Sequence, residues 1–213
     1  MKIYYIDSDI VVCEKPYGVS SQLSSGENMI ELLSKELKKE SFPVHRLDTT
    51  TTGLMVFALN KTSAARLSDA VSKGELSKEY FAIVHGKLQP QGELNDLLYH
   101  DRIRNKSFVV KTERKGAKRA QLLFETINTI CVDGKELSFV KIKLITGRTH
   151  QIRVQFANIG SPLYGDGKYG AKDNGKIHLH SASLSFTHPS KKERMSFSSV
   201  PRGELWDLLK AHE

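Results

Sequence analysis

An unbroken apolar run over residues 54–59 is the feature that most restricts how this chain can fold. The run is far too short to cross a bilayer, which takes roughly 20 residues, so it predicts a fully buried strand. Four threonines and a glycine stand directly before it, and His45, Arg46 and Asp48 come before them. A turn explains this pattern, because Asp and Thr side chains bond nearby backbone groups. A catalytic carboxylate held at the mouth of a sheet explains it equally well.

Length and composition are those of a globular protein with one substantial core. The chain has 213 residues, of which 39% are hydrophobic and 26% charged, and we predict a single domain over residues 1–213. The first residues do not resemble a signal peptide, since acidic residues come before any long apolar run. Cys13 lies in the apolar run IVVC and predicts a buried, reduced thiol. A cytoplasmic location and no association with a membrane are the resulting expectations.

The net charge of +8 is concentrated in residues 102–121. This stretch contains eight basic residues against one acid, Glu113, and Phe108 lies within it. A solvated loop or hairpin is one interpretation. A nucleic-acid-binding surface requires the same concentration of positive charge, because neutralising phosphates releases counterions. The densest cationic run predicts phosphate contacts from Arg114, Lys115, Lys118 and Arg119.

Alternating apolar residues predict strands over most of the chain, with helices between them. Strands are expected in KIYYI, IVVCEKP, KEYFAIVHG, FVVK, AQLLFETI and SFVKIKL, and a hairpin in IHLHSASLSF and RMSFSS. One helix is expected to bury Ile30, Leu33 and Leu37, and a second is expected to begin at a Thr62 cap. The predicted fold class is therefore α+β, with a largely antiparallel mixed sheet and flanking helices and loops around a central cleft.

A third predicted helix begins at about His150 with Thr149 as its cap. Its core face would consist of Ile152, Phe156 and Ile159, and Gly160 would end it. A short terminal helix is predicted from Leu205, Leu208 and Leu209.

The hexapeptide GDGKYG at residues 165–170 matches the dinucleotide-binding pattern GxGxxG. No buried strand precedes it and no helix pattern follows it, so we predict a flexible loop instead. The pair His178 and His180 has no Asp, Glu or Cys at a metal-ligand spacing, and we predict no metal.

The third predicted helix carries two arginines with different requirements. Arg148, at its start, is placed to lie near a phosphate. Arg153, on the next turn, has to be paired if it is buried, and Asp48 is a carboxylate without an obvious local partner. An alternative is that Arg153 lies at the surface beside an unrelated acid, and the spacing does not decide between the two.

Two long motifs are specific enough to indicate a family, HRLDTTTTGLMVFALN and LITGRTHQIRVQFANIGSPLYGDGKYG. They resemble the signatures HRLDxxTSGLLLFAK and TGRTHQIRVHLAxxGxPxxGDxxYG of the RluA-type RNA pseudouridine synthases, which act on ribosomal and transfer RNA. Shorter stretches also resemble that family, namely YYIDSDIVVCEKPYGV, LSKEYFAIVHG and IHLHSASLSFTHP. The resemblance runs in order over residues 3–197. This chain departs from the signatures at Thr52, Gln155 and Ser181, where serine, histidine and alanine are usual.

The resemblance implies isomerisation of uridine to pseudouridine within an RNA chain, without a cofactor. It implies that Asp48 is the catalytic carboxylate, that Arg153 is its partner, and that Tyr80 packs on the uracil ring. Arg46 matches the residue that fills the space left by a flipped-out base, and Leu179 is a candidate for an apolar wall. The partner is RNA, no protein partner is implied, and the S4-type RNA-binding domain of some members is expected to be absent.

Two other functions stay open at this stage. An RNA-binding protein that kept the fold without activity would share the basic segment, and so would an RNA glycosylase that releases uracil. Product analysis separates these functions from a pseudouridine synthase. An inactive RNA-binding protein yields no product, a glycosylase yields free uracil, and a synthase yields pseudouridine.

Overall fold

The computed structural model describes residues 1–173 and 175–210 and divides into two compact units. The first unit contains Met1–Glu79 and His180–Pro201. The second contains Tyr80–Leu179 and the segment that begins at Arg202. The single catalytic domain predicted above stays a prediction.

Strands and helices alternate along the chain much as the apolar pattern predicts. The strands are β1 Ile3–Ile6, β2 Ile10–Lys15, β3 Phe42–Pro43, β4 Thr52–Ala58, β5 Ser77–His85, β6 Gln91–Asp101, β7 Lys106–Val110, β8 Ala117–Val132, β9 Lys135–Leu144, β10 Leu179–Thr187 and β11 Arg194–Ser198. The helices are α1 Met29–Leu37, α2 Lys61–Ser72, α3 Gln151–Asn158 and α4 Glu204–Lys210, with a short 3-10 helix at Gly167–Tyr169. None of the described helices is long and apolar enough to cross a membrane.

The first unit is a sheet in the order β1-β2-β4-β10, with β11 on β10 and β3 on the end of β4. β4 runs antiparallel to β2 and parallel to β10, so the predicted mixed sheet is confirmed. β4 is buried from Gly53 to Ala58, as predicted. Its side chains Leu54 and Val56 pack with Phe186 of β10 and Leu67 of α2, and this cluster is the core of the unit.

Asparagines cap both helices of the first unit. The Asn28 side chain accepts the N–H of Glu31 at the start of α1, and the Asn60 side chain accepts the N–H of Ser63 at the start of α2. The prediction of Thr62 as a cap was therefore wrong. The physical reason is that Asn60 already satisfies a free N–H of the first turn, and Thr62 falls inside the helix.

The second unit has the strand order β5-β9-β8-β6-β7. Its pairs β6–β7, β6–β8 and β8–β9 are all antiparallel. A core of Ile83, Leu137, Phe139 and Trp206 joins β5, β9 and α4. The side chain of Leu209, predicted on the apolar face of α4, lies outside the described part of the chain.

The third predicted helix exists, but its ends differ from the prediction. Residue 150, a histidine with φ of 55°, is the cap position of α3, and its side chain makes no capping hydrogen bond. Thr149 is therefore not the cap. Ile152 and Phe156 are buried as predicted, whereas Ile159 is 44% exposed. The helix ends at Asn158, so Ile159 lies beyond the buried face of α3, and the chain turns at Gly160.

Candidate active site

The backbone on both sides of Asp48 is fixed by hydrogen bonds. Before it, the hydroxyl of Ser21 donates to the Leu47 carbonyl at 2.9 Å and accepts the Leu47 N–H at 3.3 Å. After it, the Thr49 carbonyl accepts the N–H of Gly18 at 2.9 Å. Asp48 itself is half-buried. The Thr51 N–H donates to the Asp48 carbonyl at 2.9 Å, so the segment is a turn, and the catalytic role of Asp48 stays a prediction.

A buried lysine lies beneath the same segment. The Lys15 ammonium donates to the carbonyls of Pro16, Val19 and Thr49, at 2.9, 2.8 and 3.1 Å, and its side chain is inaccessible to solvent. Burial lowers the pKa of Lys15 to about 8, and the charge of Asp48 opposes that shift. Lys15 therefore ties the end of β2 to the residue that follows Asp48 and places a positive charge near the carboxylate.

His45 anchors the start of the Asp48 segment to β4. Its Nε2 accepts the N–H of Val56 at 3.2 Å, so the ring proton is on Nδ1, a buried atom without a hydrogen-bond partner among the described residues. Burial, and then the charge of Lys78, holds the pKa of His45 well below its usual value. The imidazole is thus neutral and acts as a backbone acceptor rather than as a proton donor to a substrate.

The parallel pair of β4 and β10 explains two departures from the family signature. The Thr52 hydroxyl lies 2.8 Å from Nδ1 of His180, and the Ser181 hydroxyl donates to the Leu54 carbonyl at 3.0 Å. Gly53, with φ of 108°, lies between them, and a Cβ there would collide with the Ser181 backbone. The side chains that differ from the signature therefore make specific buried bonds at the end of the Asp48 turn.

Arg153 is buried on α3 and is held by a carboxylate that the sequence interpretation did not identify. Its Nε and an Nη donate to the two oxygens of Asp166 at 2.6 and 2.8 Å, a bidentate pair. The side chains are 6% and 0% exposed. The alternative of a surface arginine is therefore wrong, because α3 is buried from Gln151 to Phe156. The pairing of Arg153 with Asp48 stays a prediction.

Tyr169 supports the same arginine from a second direction. The Arg153 guanidinium lies 5.1 Å from the Tyr169 ring centre, a distance typical of a cation–π contact. The Tyr169 hydroxyl accepts the N–H of Ser107 at 2.8 Å and lies 2.9 Å from Nδ1 of His150. Burial raises the pKa of the Tyr169 phenol.

Both supporting residues belong to GDGKYG, which was predicted to be a flexible loop. The segment instead contains the 3-10 helix and two buried side chains, Asp166 and Tyr169. Gly165, with φ of 81°, passes so close to the Lys176 carbonyl that a Cβ would collide with it. The glycines therefore permit a close packing of backbone, and the acid and the tyrosine support Arg153.

Gln155, the third departure, is fully buried on α3. Its amide donates to the Asp96 carboxylate at 2.7 Å and to the Ala120 carbonyl at 3.3 Å. The signature histidine is thus replaced by a residue that ties α3 to β6 and β8.

The remaining predicted residues fall into a buried group and an exposed group. Tyr80 at the start of the second unit and Leu179 at its end are each 4% exposed. The cations predicted to contact RNA are all exposed, namely Arg46, Arg114, Lys115, Lys118, Arg119 and Arg148. Arg114 lies 3.9 Å from the centre of the Tyr99 ring, and Arg148 donates to the Arg119 carbonyl at 2.9 Å.

One cluster in the first unit has the residue types of a metal site. Ligand atoms of Asp7, Asp9 and His188 lie within 4.8 Å of one another. Internal partners already occupy these oxygens. Asp7 accepts bonds from Tyr5, His188 and Lys191, and Asp9 accepts bonds from Asn60, Ser63 and Ser190. The cluster therefore ties the β1–β2 turn to α2 and to the turn before β11.

Residues 9–158 match the RNA pseudouridylate synthase family. The chain belongs to this family. It is 28% identical to the tRNA pseudouridine synthase C of Haemophilus ducreyi, over 98% of this chain and 94% of that protein. It is 32% identical to the dual-specificity RNA pseudouridine synthase RluA of Pasteurella multocida, over 94% and 93% of the two chains. Other relatives are longer, and the chain covers 65% of one of them.

Fold comparison agrees with this assignment. The structure of human RNA pseudouridylate synthase domain containing 1 superposes with a TM-score of 0.81, at 22% identity, over 94% of this chain and 82% of that one. The predicted fold is confirmed. As a pseudouridine synthase, the protein is an isomerase that converts uridine in RNA to pseudouridine, as the sequence resemblance implied.

Proposed function

We propose that Asp48 is the catalytic carboxylate of this pseudouridine synthase. In the reaction the bond between C1′ of ribose and N1 of uracil breaks, the base turns, and a bond from C1′ to C5 forms. The proton on C5 is lost and N1 gains one, so the product is an isomer of the substrate. A carboxylate is suited to trap or stabilise a sugar carbon with oxocarbenium character.

The observation that carries the proposal is the way in which the Asp48 segment is held. Backbone bonds at Leu47 and Thr49 fix the peptide on each side, and the buried Lys15 ammonium places a positive charge near the carboxylate. A catalytic group gains rate from being held in one orientation before the substrate arrives. A simple surface turn has no need of a buried ammonium beneath it, since desolvating that charge is costly.

The family resemblance supports the remaining roles. Tyr80 would pack on the uracil ring, Arg153 would keep the carboxylate ionised, and Leu179 would form an apolar wall. Arg46 would fill the space left by the flipped base. The bidentate Asp166 contact supports the role of Arg153, because it fixes the plane of the guanidinium.

The names of the relatives support transfer or ribosomal RNA as the substrate. One similar protein is a tRNA pseudouridine synthase, and another is a dual-specificity RNA enzyme. We infer that this protein modifies structured transfer or ribosomal RNA, where loops expose bases that can be flipped. The cytoplasmic location stays a prediction.

The test compares the unmodified protein with Asp48→Asn, which keeps size and removes charge. RNA from cells that lack the gene serves as substrate, and both pseudouridine and free uracil are measured. We expect Asp48→Asn to make no pseudouridine while its RNA affinity stays within a few fold. The control is Asp133→Asn, which removes an exposed carboxylate in the β8–β9 turn and should leave turnover unchanged.

Each other product has a defined meaning. Substantial pseudouridine from Asp48→Asn would disprove the role of this carboxylate. Free uracil from the unmodified protein would indicate a glycosylase, and tight binding with neither product would indicate an inactive RNA-binding protein.

A further inference from the structure

The tip of the β6–β7 hairpin carries an aliphatic side chain in open solvent. Ile103 is 99% exposed, more than any other large hydrophobic side chain in the described part of the chain. It therefore contributes nothing to the packing of its unit. The residues on either side of it, Arg102 and Arg104, are also exposed.

The turn that presents Ile103 has a defined conformation. One oxygen of the Asp101 carboxylate accepts the N–H of Ile103 and the N–H of Arg104, each at 3.0 Å. Asn105 completes the turn with φ of 45°. The backbone of Asp101 in β6 is paired with that of Lys106 in β7, where the antiparallel strands begin. A preorganised loop loses less conformational entropy when it binds a partner.

A basic groove begins at the same hairpin. It has a volume of about 580 Å³ and runs from the tip past β8 to the segment before α3. Its cationic lining consists of Arg102, Lys118 and Arg148. His100 and Ser107 also line it, and these two side chains lie 3.2 Å apart.

We propose that the β6–β7 hairpin is an RNA-binding finger. Ile103 packs against an unstacked base of the RNA, while Arg102 and Arg104 hold the flanking phosphates. Lys118 and Arg148 continue the backbone contact along the groove. This inference rests on the proposed function only in taking RNA as the substrate.

The chemistry of the surface favours RNA over a protein or a lipid partner. A single aliphatic side chain buries too little apolar area to anchor a membrane or a stable dimer. The cations near it need a partner with closely spaced negative charges. A looped RNA strand offers phosphates at such a spacing together with the apolar faces of unstacked bases.

The first test measures RNA binding in the Asp48→Asn background, so that no turnover occurs. We expect Ile103→Ser to weaken binding at least fivefold and to leave its salt dependence unchanged, because the charge of the protein stays the same. Arg102→Gln with Arg104→Gln should weaken binding and lower the log–log salt slope by about 1.4, two contacts at about 0.7 each. The matched controls are Leu208→Ser, an exposed aliphatic residue on α4, and Lys35→Gln with Lys39→Gln, which remove the same charge in and just after α1.

The second test identifies the partner directly. Cys13 is buried and Cys131 is exposed, so Ile103→Cys in a Cys131→Ser background offers one accessible thiol for a photoreactive label. We expect the label to crosslink to RNA, and the same label at Leu208→Cys to crosslink weakly.

The outcomes separate this proposal from the proposed function. Equal RNA affinity of Ile103→Ser and Leu208→Ser would overturn the proposal that the hairpin binds RNA, even if Asp48→Asn proves inactive as expected. A crosslink to a second copy of the chain, or binding to vesicles that contain an anionic phospholipid, would also overturn it. Conversely, if Asp48→Asn stays active, the role of Asp48 fails while RNA crosslinks from position 103 still support the finger.

Discussion

The guanidinium of Arg153 donates two parallel hydrogen bonds to the carboxylate of Asp166, and both side chains are buried. Such a fork fixes the plane of an arginine as well as its position. Arg153 is therefore oriented by its own unit, whatever other group it contacts during the reaction.

Breaking this pair should be costly. Asp166→Asn leaves a buried guanidinium with a neutral partner, and we expect a loss of about 3 to 5 kcal/mol in the free energy of unfolding. Urea unfolding followed by circular dichroism measures this loss. Asp69→Asn is the control, since its ion pair with Lys73 is 58% exposed on both sides. That variant should lose little unfolding free energy, because solvent screens an exposed ion pair, and an equally small loss for Asp166→Asn would contradict the prediction.

Lys15 should make the protein more stable as the solution becomes mildly alkaline. Its folded pKa is about 8 and its usual value is 10.5. Between these values the unfolded chain binds more protons, so the free energy of unfolding rises with pH. Lys15→Met removes this contribution, and the difference in unfolding free energy between the two proteins should change steadily from pH of about 8 to about 10.5, in favour of the unmodified protein. A constant difference over that range would mean that the burial of Lys15 does not shift its titration.

Acid should weaken the cluster around Asp7. Burial acts to raise the pKa of this carboxyl, but the N–H groups of Asp9 and Ile10, with Lys191 and Tyr5, hold it well below its usual value. A bond from Ser190, with others from Asn60 and Ser63, lowers the pKa of Asp9.

The stabilisation is present above pH of about 4 and is lost as the pH falls below it. We expect Asp7→Asn to flatten the drop in unfolding free energy between pH of about 5 and about 2.5. Asp133→Asn should leave the drop as it is in the unmodified protein, and a similar drop in both variants would speak against the prediction.

The densest cationic run, separate from the hairpin tip, should contribute to the electrostatic part of binding. Neutralising Arg114, Lys115, Lys118 and Arg119 together should reduce the log–log dependence of RNA affinity on salt by about 0.7 for each phosphate that the protein then leaves unneutralised. Filter binding over a range of about 50 to 300 mM salt gives this slope. An unchanged slope would mean that these side chains form only a solvated surface.

Turnover should depend on the planar guanidinium of Arg153, with its two parallel N–H donors, and not on its charge alone. Arg153→Lys keeps the charge but cannot make both bonds to Asp166, so we expect pseudouridine formation to fall without disappearing. In the unmodified protein Asp48 and Arg153 are predicted to lie within about 4 Å. The losses of unfolding free energy caused by Arg153→Met and by Asp48→Asn should then not be additive. Fully independent effects of the two changes would argue against a shared site.

The apolar pattern predicted much of the fold because most strands alternate cleanly. β6 was missed, since its sequence QGELNDLLYHD mixes acids and amides into a strand that lies between β7 and β8. Its partners on both edges supply the hydrogen bonds that its own composition does not favour. Such a strand is stabilised by its place in the sheet, which local propensity does not encode.

The candidate site was predicted only in part, for a related reason. Asp48 and Arg153 were proposed because the signatures of a known family contain them, whereas Asp166 and Tyr169 were assigned to a flexible loop. The signal available in the sequence was an acid directly after a glycine, 13 positions beyond the arginine. Only the packing of α3 on that loop shows that the acid is its partner.

The division of the chain has a consequence for its synthesis. The first unit needs residues 180–201 to complete its sheet, and the Thr52–His180 bond spans 128 positions. A ribosome makes residues from the N-terminus onward, so β4 waits with one edge open until β10 has left the exit tunnel. The second unit has a long contiguous part, residues 80–179, but its core also takes Trp206 from the segment that begins at Arg202. During translation each unit therefore stays incomplete until residues beyond 179 have emerged, and the open edge of β4, next to the Asp48 segment, is exposed to wrong pairing until then.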